Sequence, residues 1–91
     1  MKNSKNFPFA QLEGPGFLIR EFSKDIDSEE LVWHRDKKDR IIIIKEGTGW
    51  MLQLENSLPK HLSVGSIYYI PKNTYHRVLK GSTDLIIEIR E

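Results

Sequence analysis

The stretch that decides the fold reads RIIIIKEGTG and covers residues 40–49. Its four consecutive isoleucines, Ile41 to Ile44, are β-branched, and such side chains pack well on a pleated strand. Because both faces of this strand are apolar, the run predicts a central strand that is covered on both sides. Gly47 and Gly49 then mark a turn. The run is therefore expected to form the heart of the core.

The alternation of strand and turn continues on both sides of this stretch. Turn formers recur at intervals of roughly 8–12 residues, which is typical of a β-sandwich or β-barrel. The predicted strands cover residues 17–22, 30–36, 40–45, 50–54, 67–70, 75–79 and 84–90. The sequence therefore predicts one all-β domain over residues 8–91, preceded by a flexible N-terminal arm at residues 1–7.

Composition narrows the classes of partner and compartment. Lys plus Arg number 14 and Asp plus Glu number 13, and the net charge of +1 argues against a nucleic-acid partner or an anionic membrane surface. No apolar run approaches the ~20 residues that span a bilayer. The chain has no cysteine, so any metal must be held by nitrogen and oxygen atoms. We expect a soluble, cytoplasmic protein.

Two histidines and one acid form the candidate site. His34 and Asp36 lie two residues apart on a predicted strand, so their side chains leave the same face. A barrel would bring His76 from a later strand beside them. Two imidazoles and a carboxylate suit a divalent transition metal. The third histidine, His61, lacks a partner at ligand spacing and is predicted to lie on the surface.

The spacing of these residues resembles the first motif of the cupin superfamily, Gly-x5-His-x-His, three or four residues, then Glu-x6-Gly. This sequence places the following residues at those offsets: Ser28, His34, Asp36, Arg40 and Gly47. Ser28 stands where the family has its first glycine. The family's metal-binding members use three histidines and one glutamate, so Asp36 replaces a histidine ligand and Arg40 replaces the glutamate.

The second cupin motif, Gly-x5-Pro-x-Gly-x2-His-x3-Asn, is also met at every offset. The residues that occupy its positions are Gly65, Pro71, Asn73, His76 and Lys80. Asn73 is expected to adopt the positive φ that glycine would supply. The resemblance covers roughly residues 17–91 and implies a single cupin-type antiparallel β-barrel, also called a double-stranded β-helix or jelly roll.

The arginine in the first motif leaves two interpretations of the site. Two unit charges about 4 Å apart interact by about 4 kcal/mol at an effective dielectric near 20, and a divalent ion beside Arg40 would be repelled roughly twice as strongly. In the first interpretation His34, Asp36 and His76 hold iron, nickel, manganese or zinc. In the second, Arg40 has replaced metal binding, no cofactor is needed, and the two histidines are satisfied by hydrogen bonds.

Arg40 and Lys80 are the candidate substrate-binding cations, and each has a structural alternative. Arg40 either orients an anionic substrate or forms an ion pair with Asp36. Lys80 either adds a second cation or is a solvated strand end. The sequence assigns no catalytic residue.

The leading functional prediction is a metal-dependent enzyme that acts on a polar or anionic small molecule. Isomerase, lyase and oxygenase chemistry all fit such a site, because a fold does not fix a reaction. The alternative is a metal-free cupin that binds a sugar or a small anion without catalysis. A third option is a purely structural or interaction protein. A chain this short also gains stability by pairing, so a homodimer is expected.

Overall fold

The computed structural model describes residues 9–91, and the predicted arm at residues 1–7 lies outside them. Within the described part, the strands are β1 (Ala10–Gly14), β2 (Phe17–Phe22), β3 (Arg40–Glu46), β4 (Met51–Leu54), β5 (Lys60–His61), β6 (Ile67–Ile70), β7 (His76–Leu79) and β8 (Leu85–Arg90). A short 3₁₀ helix, Ser28–Glu30, is the helical element of this part. The predicted all-β fold class is confirmed.

The strands form two antiparallel sheets. The larger sheet has the order β1-β2-β8-β3-β6, and the smaller one has the order β5-β4-β7. One hydrophobic cluster joins them, because it contains Ile42, Ile87 and Ile89 from the larger sheet and Leu52 from the smaller one. The cavity described below lies between the two sheets.

The isoleucine run forms a central strand, as predicted, but it is not covered on both sides. Ile42 and Ile44 face the core and are buried, whereas Ile41 is 42% exposed. The prediction of two covered faces is wrong because no second layer of described residues packs on the outer face of β3. The strand therefore alternates between buried and exposed positions, as a half-buried strand does.

Residues 30–36 do not form the predicted strand. Asp27 accepts a hydrogen bond from the backbone N–H of Glu29 at 3.0 Å and caps the 3₁₀ helix instead. Acidic and hydroxyl residues favour such local caps over a ladder. Beyond the helix, His34 alone forms a β-bridge, to His76.

Two strands were missing from the prediction. β1 pairs with β2 at one edge of the larger sheet, and β5 pairs with β4 at one edge of the smaller sheet. Both are edge strands with mostly exposed side chains, so neither carries the apolar pattern from which strands are predicted. None of the helical structure in the described residues has the length and apolarity that a bilayer crossing requires.

We expect Leu85→Ala to lower the free energy of unfolding by about 2–5 kcal/mol, the usual cost of this truncation in a packed core. Leu85 lies at the start of β8 with no exposed surface. Urea denaturation measures the change. The matched control is Leu58→Ala, because Leu58 is 83% exposed and its truncation should change stability by no more than about 0.5 kcal/mol. Equal effects of the two substitutions would contradict the assigned core.

Candidate functional site

The segment that contains His34 and Asp36 runs beside the start of β7. His34 N–H donates to the His76 carbonyl at 3.0 Å, and His76 N–H donates to the His34 carbonyl at 2.8 Å. Farther along, the N–H of Asn73 donates to the carbonyl of Asp36 at 2.7 Å. Asn73 has φ of 61°, which confirms its predicted left-handed conformation. These backbone bonds bring His34, Asp36 and His76 together although residues 30–36 are not a strand.

Both histidine rings direct the same nitrogen towards the backbone. His34 Nδ1 lies 3.2 Å from the carbonyl oxygen of Val32, and His76 Nδ1 lies 2.9 Å from that of Thr74. A carbonyl oxygen only accepts, so each bond requires the proton on Nδ1, and in the neutral ring this leaves a lone pair on Nε2. The rings meet edge to face, with centroids 4.2 Å apart. This is the tautomer in which a histidine binds a metal through Nε2.

The carboxylate of Asp36 lies beside Nε2 of His76 but forms no hydrogen bond with it. Its Oδ2 lies 3.4 Å from His76 Nε2 and 3.3 Å from Arg40 Nη1. The oxygen is buried, and none of the described residues gives it a hydrogen bond of acceptable geometry. Two acceptor atoms that face each other in a buried position repel unless a cation lies between them.

These three side chains can hold a metal ion. One nitrogen or oxygen atom from each lies within 4.8 Å of the others. Two ligands of one zinc ion, each about 2.1 Å from it at a tetrahedral angle, are roughly 3.4 Å apart, close to the separation of Asp36 Oδ2 and His76 Nε2. Burial lowers the pKa of His76 below its ordinary value of 6.5. The ring is therefore neutral at pH 7, as a ligand must be.

Arg40, the residue that most disturbs the cupin ligand pattern, forms ion pairs. Its Nε donates to Glu91 Oε2 at 2.7 Å, while Nη1 approaches Asp36. The side chain is only 13% exposed. The predicted pair with Asp36 is therefore present, and Glu91 adds a second negative charge. Two carboxylates around one guanidinium offset much of the repulsion that Arg40 would exert on a metal.

A cavity of about 330 Å³ opens beside these residues. Its polar end is formed by Arg20, His34, Asp36, Arg40 and His76. The other twelve of its seventeen lining residues are apolar, among the part of the chain that the structure describes. The cavity is thus polar at one end and hydrophobic along its walls.

Arg20 is the member of this polar end that sequence reasoning missed. It lies on β2 and pairs with Gln11 of β1 and Ile87 of β8. The signal was the alternation of residues 17–22, in which Leu18, Arg20 and Phe22 share one face. An arginine between two inward apolar residues indicates a cation in the interior.

Lys80 is not brought to the cavity. Its Nζ donates to the carbonyl of Ile26 at 2.7 Å, and its side chain is exposed and absent from the lining. His61 is exposed on β5, as predicted. The structure therefore unites His34, Asp36, Arg40 and His76 from the predicted set and leaves Lys80 outside.

No protein-family model matches the sequence, and no curated protein matches it either. Solved structures do match. An RmlC-like cupin with a double-stranded β-helix fold from Methanocaldococcus jannaschii is 19% identical with a TM-score of 0.68, over 99% of this chain and 84% of that one. The DMSP lyase DddQ from Ruegeria pomeroyi is 16% identical with a TM-score of 0.70, over 92% of this chain and 47% of the lyase.

A third similar structure is cobalt(II) HppE in complex with Tris buffer, which is 15% identical with a TM-score of 0.64 over 91% of this chain and 52% of that one. The present chain thus spans about half the length of these last two proteins. At such low identity the likeness defines the fold. Together with the antiparallel sheets and the position of both histidines, it shows that this chain has the cupin fold, a double-stranded β-helix.

Proposed function

We propose that this protein is a metal-dependent cupin enzyme that acts on a small anionic molecule. The observation that carries the proposal is the buried Oδ2 of Asp36, which faces a histidine lone pair and receives no hydrogen bond from the described residues. A divalent ion held by His34, Asp36 and His76 would satisfy all three groups. Similar folds occur in the lyase DddQ and in cobalt(II) HppE, which agrees with this proposal.

Different residues of the cavity have different roles in the proposed reaction. A divalent metal, when bound, supplies a Lewis acid that polarises an oxygen of the substrate. The backbone carbonyls of Val32 and Thr74 hold the two imidazole rings in the ligand tautomer. The apolar walls exclude water, which strengthens each charge interaction at the polar end. Isomerase, lyase and oxygenase reactions are all compatible with these roles.

A second candidate is a metal-free cupin that binds a sugar or anion without catalysis. The observation in its favour is Arg40 Nη1, which lies 3.3 Å from the same oxygen that a metal would need. In this case the guanidinium provides the cation between the acceptors. The two candidates differ in metal content, which is directly measurable.

We expect the untagged protein, purified without chelator and then dialysed against Zn²⁺, to hold about one equivalent of divalent metal. Loss of a residue that only hydrogen-bonds to a metal ligand lowers metal affinity by about 10–100-fold. Asp36→Asn and His76→Ala should each weaken zinc binding by more than this, because each removes a direct ligand. Elemental analysis and equilibrium dialysis give the stoichiometry and the affinity.

The matched control for this experiment is His61→Ala, which removes an exposed histidine outside the cavity. It should bind zinc as the unaltered protein does. Absence of metal from the unaltered protein, even after dialysis against zinc, would refute the metal enzyme and favour the metal-free candidate. An equal loss in His61→Ala would show that zinc binds elsewhere.

Arg40→Gln should raise zinc affinity about tenfold, because it removes a positive charge near the metal and releases Asp36 Oδ2. The same variant should be less stable, since Glu91 and Asp36 lose their partner. Lys38→Gln is the control, as Lys38 also approaches Glu91, at 4.0 Å, but is 73% exposed. A fall in zinc affinity in Arg40→Gln would mean that Arg40 holds Asp36 in place for the metal.

We also propose that the protein works in the cytoplasm as a homodimer. Ile41 and Tyr69 pair across β3 and β6, and Ile67 lies on the same face. All three are exposed large apolar or aromatic side chains, and β6 is an edge strand of its sheet. A second copy that covers this face would bury the apolar surface and protect the edge.

Size-exclusion chromatography with light scattering at micromolar concentration should give the mass of two chains. Ile67→Lys should shift the mass to one chain, because the lysine charge would be buried in the contact. Val64→Lys, which adds the same charge at an exposed position outside the strand, should leave the dimer intact. A monomeric unaltered protein would overturn the proposal.

A further inference from the structure

Arg20 places a cation among apolar side chains of the cavity. On β2 its neighbours on the same face are Leu18 and Phe22, and both pack in the hydrophobic core. Arg20 itself lines the cavity. A guanidinium in this position loses hydration, which costs free energy unless an anionic or polar partner meets it.

Arg20 forms no direct ion pair with the described residues. Its Nε donates to Gln11 Oε1 at 2.6 Å, and its Cζ lies 4.1 Å from the centroid of the Phe9 ring. Between residues 9 and 91, its terminal nitrogens Nη1 and Nη2 make no hydrogen bond, and no carboxylate lies within ion-pair distance. Burial and then the charge of Arg40 lower the pKa of Arg20 to about 10, while the charges of Asp36 and Glu91, beyond ion-pair distance, act in the opposite direction. The side chain is therefore still a cation at neutral pH.

Arg40 differs from Arg20 in this respect. Arg40 is paired with both Asp36 and Glu91, so its charge is already offset by two carboxylates. An anion that enters the cavity would have to compete with these carboxylates for Arg40. At Arg20 it meets two terminal nitrogens to which none of residues 9–91 is hydrogen-bonded, in the fork geometry that matches a carboxylate. Arg20 is thus the better anion-binding residue.

The walls of the cavity limit what the rest of the ligand can be. They include Leu52, Val78 and Ile87, and the twelve apolar lining residues offer no side-chain hydrogen-bonding group along the walls. A sugar would leave its hydroxyl groups without partners there, which is costly in a buried site. The volume of about 330 Å³ is at the lower end of the roughly 300–1,000 Å³ of ligand sites. The ligand is therefore small and mainly hydrocarbon.

We propose that the cavity binds a small monocarboxylic acid with an apolar body, whose carboxylate is held by the Nη1 and Nη2 edge of Arg20. The hydrocarbon part lies against Leu52, Val78 and Ile87. This inference rests on the proposed function, since it names the class of anion that the site takes. Arg20 acts here as a binding residue that orients the ligand towards His34, Asp36 and His76.

The test is an NMR titration of the protein as purified with three probes. Benzoate carries a carboxylate on an apolar ring, benzamide has the same shape without the charge, and gluconate has the charge on a polar body. Benzoate should bind at least tenfold more tightly than either of the others. Arg20→Gln should weaken benzoate binding by about 10- to 100-fold, the usual effect of a lost charge-assisted pair, and leave benzamide binding unchanged.

Two further variants make the titration decisive. Arg35→Gln is the matched control, because Arg35 is exposed, stacks on Tyr75 and does not line the cavity; its benzoate affinity should not change. Arg20→Lys keeps the charge but loses the fork, so its affinity should fall between those of the unaltered protein and Arg20→Gln. An intermediate benzoate affinity in Arg20→Lys would show that Arg20→Gln weakens binding directly and not by unfolding the protein.

The inference is overturned if Arg20→Gln binds benzoate as the unaltered protein does, or if gluconate binds as well as benzoate. A second titration after treatment with a chelator tests this inference independently of the proposed function. Benzoate binding that depends on Arg20 but persists without metal would support the carboxylate site alone. If metal-loaded protein binds benzoate equally well before and after Arg20→Gln, the carboxylate site is refuted and the proposal of a metal enzyme is unaffected.

Discussion

The carboxylate of Asp36 is the group on which the arrangement of the polar end depends. It lies between an imidazole lone pair and a guanidinium, 3.4 Å from His76 and 3.3 Å from Arg40. A buried carboxylate needs compensation of its charge. The same oxygen therefore determines whether the site attracts a metal, keeps an arginine, or accommodates both.

The competition between metal and guanidinium is moderated by the surroundings of Arg40. Glu91 Oε2 accepts a hydrogen bond from Arg40 Nε at 2.7 Å. The negative charge of Glu91 partly offsets the positive charge that Arg40 presents to Asp36. Burial at the same time keeps His76 neutral by lowering its pKa. Both effects would favour a cation between His34, Asp36 and His76. An arginine at this position is thus compatible with the proposed metal site.

Polarity in the cavity is distributed unevenly, and this distribution has chemical consequences. The titratable and cationic groups are gathered at one end, while the walls are hydrocarbon. A ligand with one charged end can bind in one orientation only, because the reverse orientation would bury its charge against apolar walls. Orientation of this kind would bring the same part of each ligand molecule to His34 and His76. It depends on Arg20 from the larger sheet and on His76 from the smaller one.

The sequence alone determined the all-β class, the central isoleucine strand and the positive φ of Asn73, and it indicated that His34, Asp36 and His76 would lie close together. These follow from local periodicity, turn chemistry and motif spacing, which a linear chain carries in full. It did not determine the edge strands β1 and β5, since their exposed side chains have no apolar pattern. Nor did it determine the ion pair from Arg40 to Glu91 or the position of Arg20 beside Arg40. Those contacts join residues far apart in the chain, so only the packing of the two sheets could decide which charged side chains lie together.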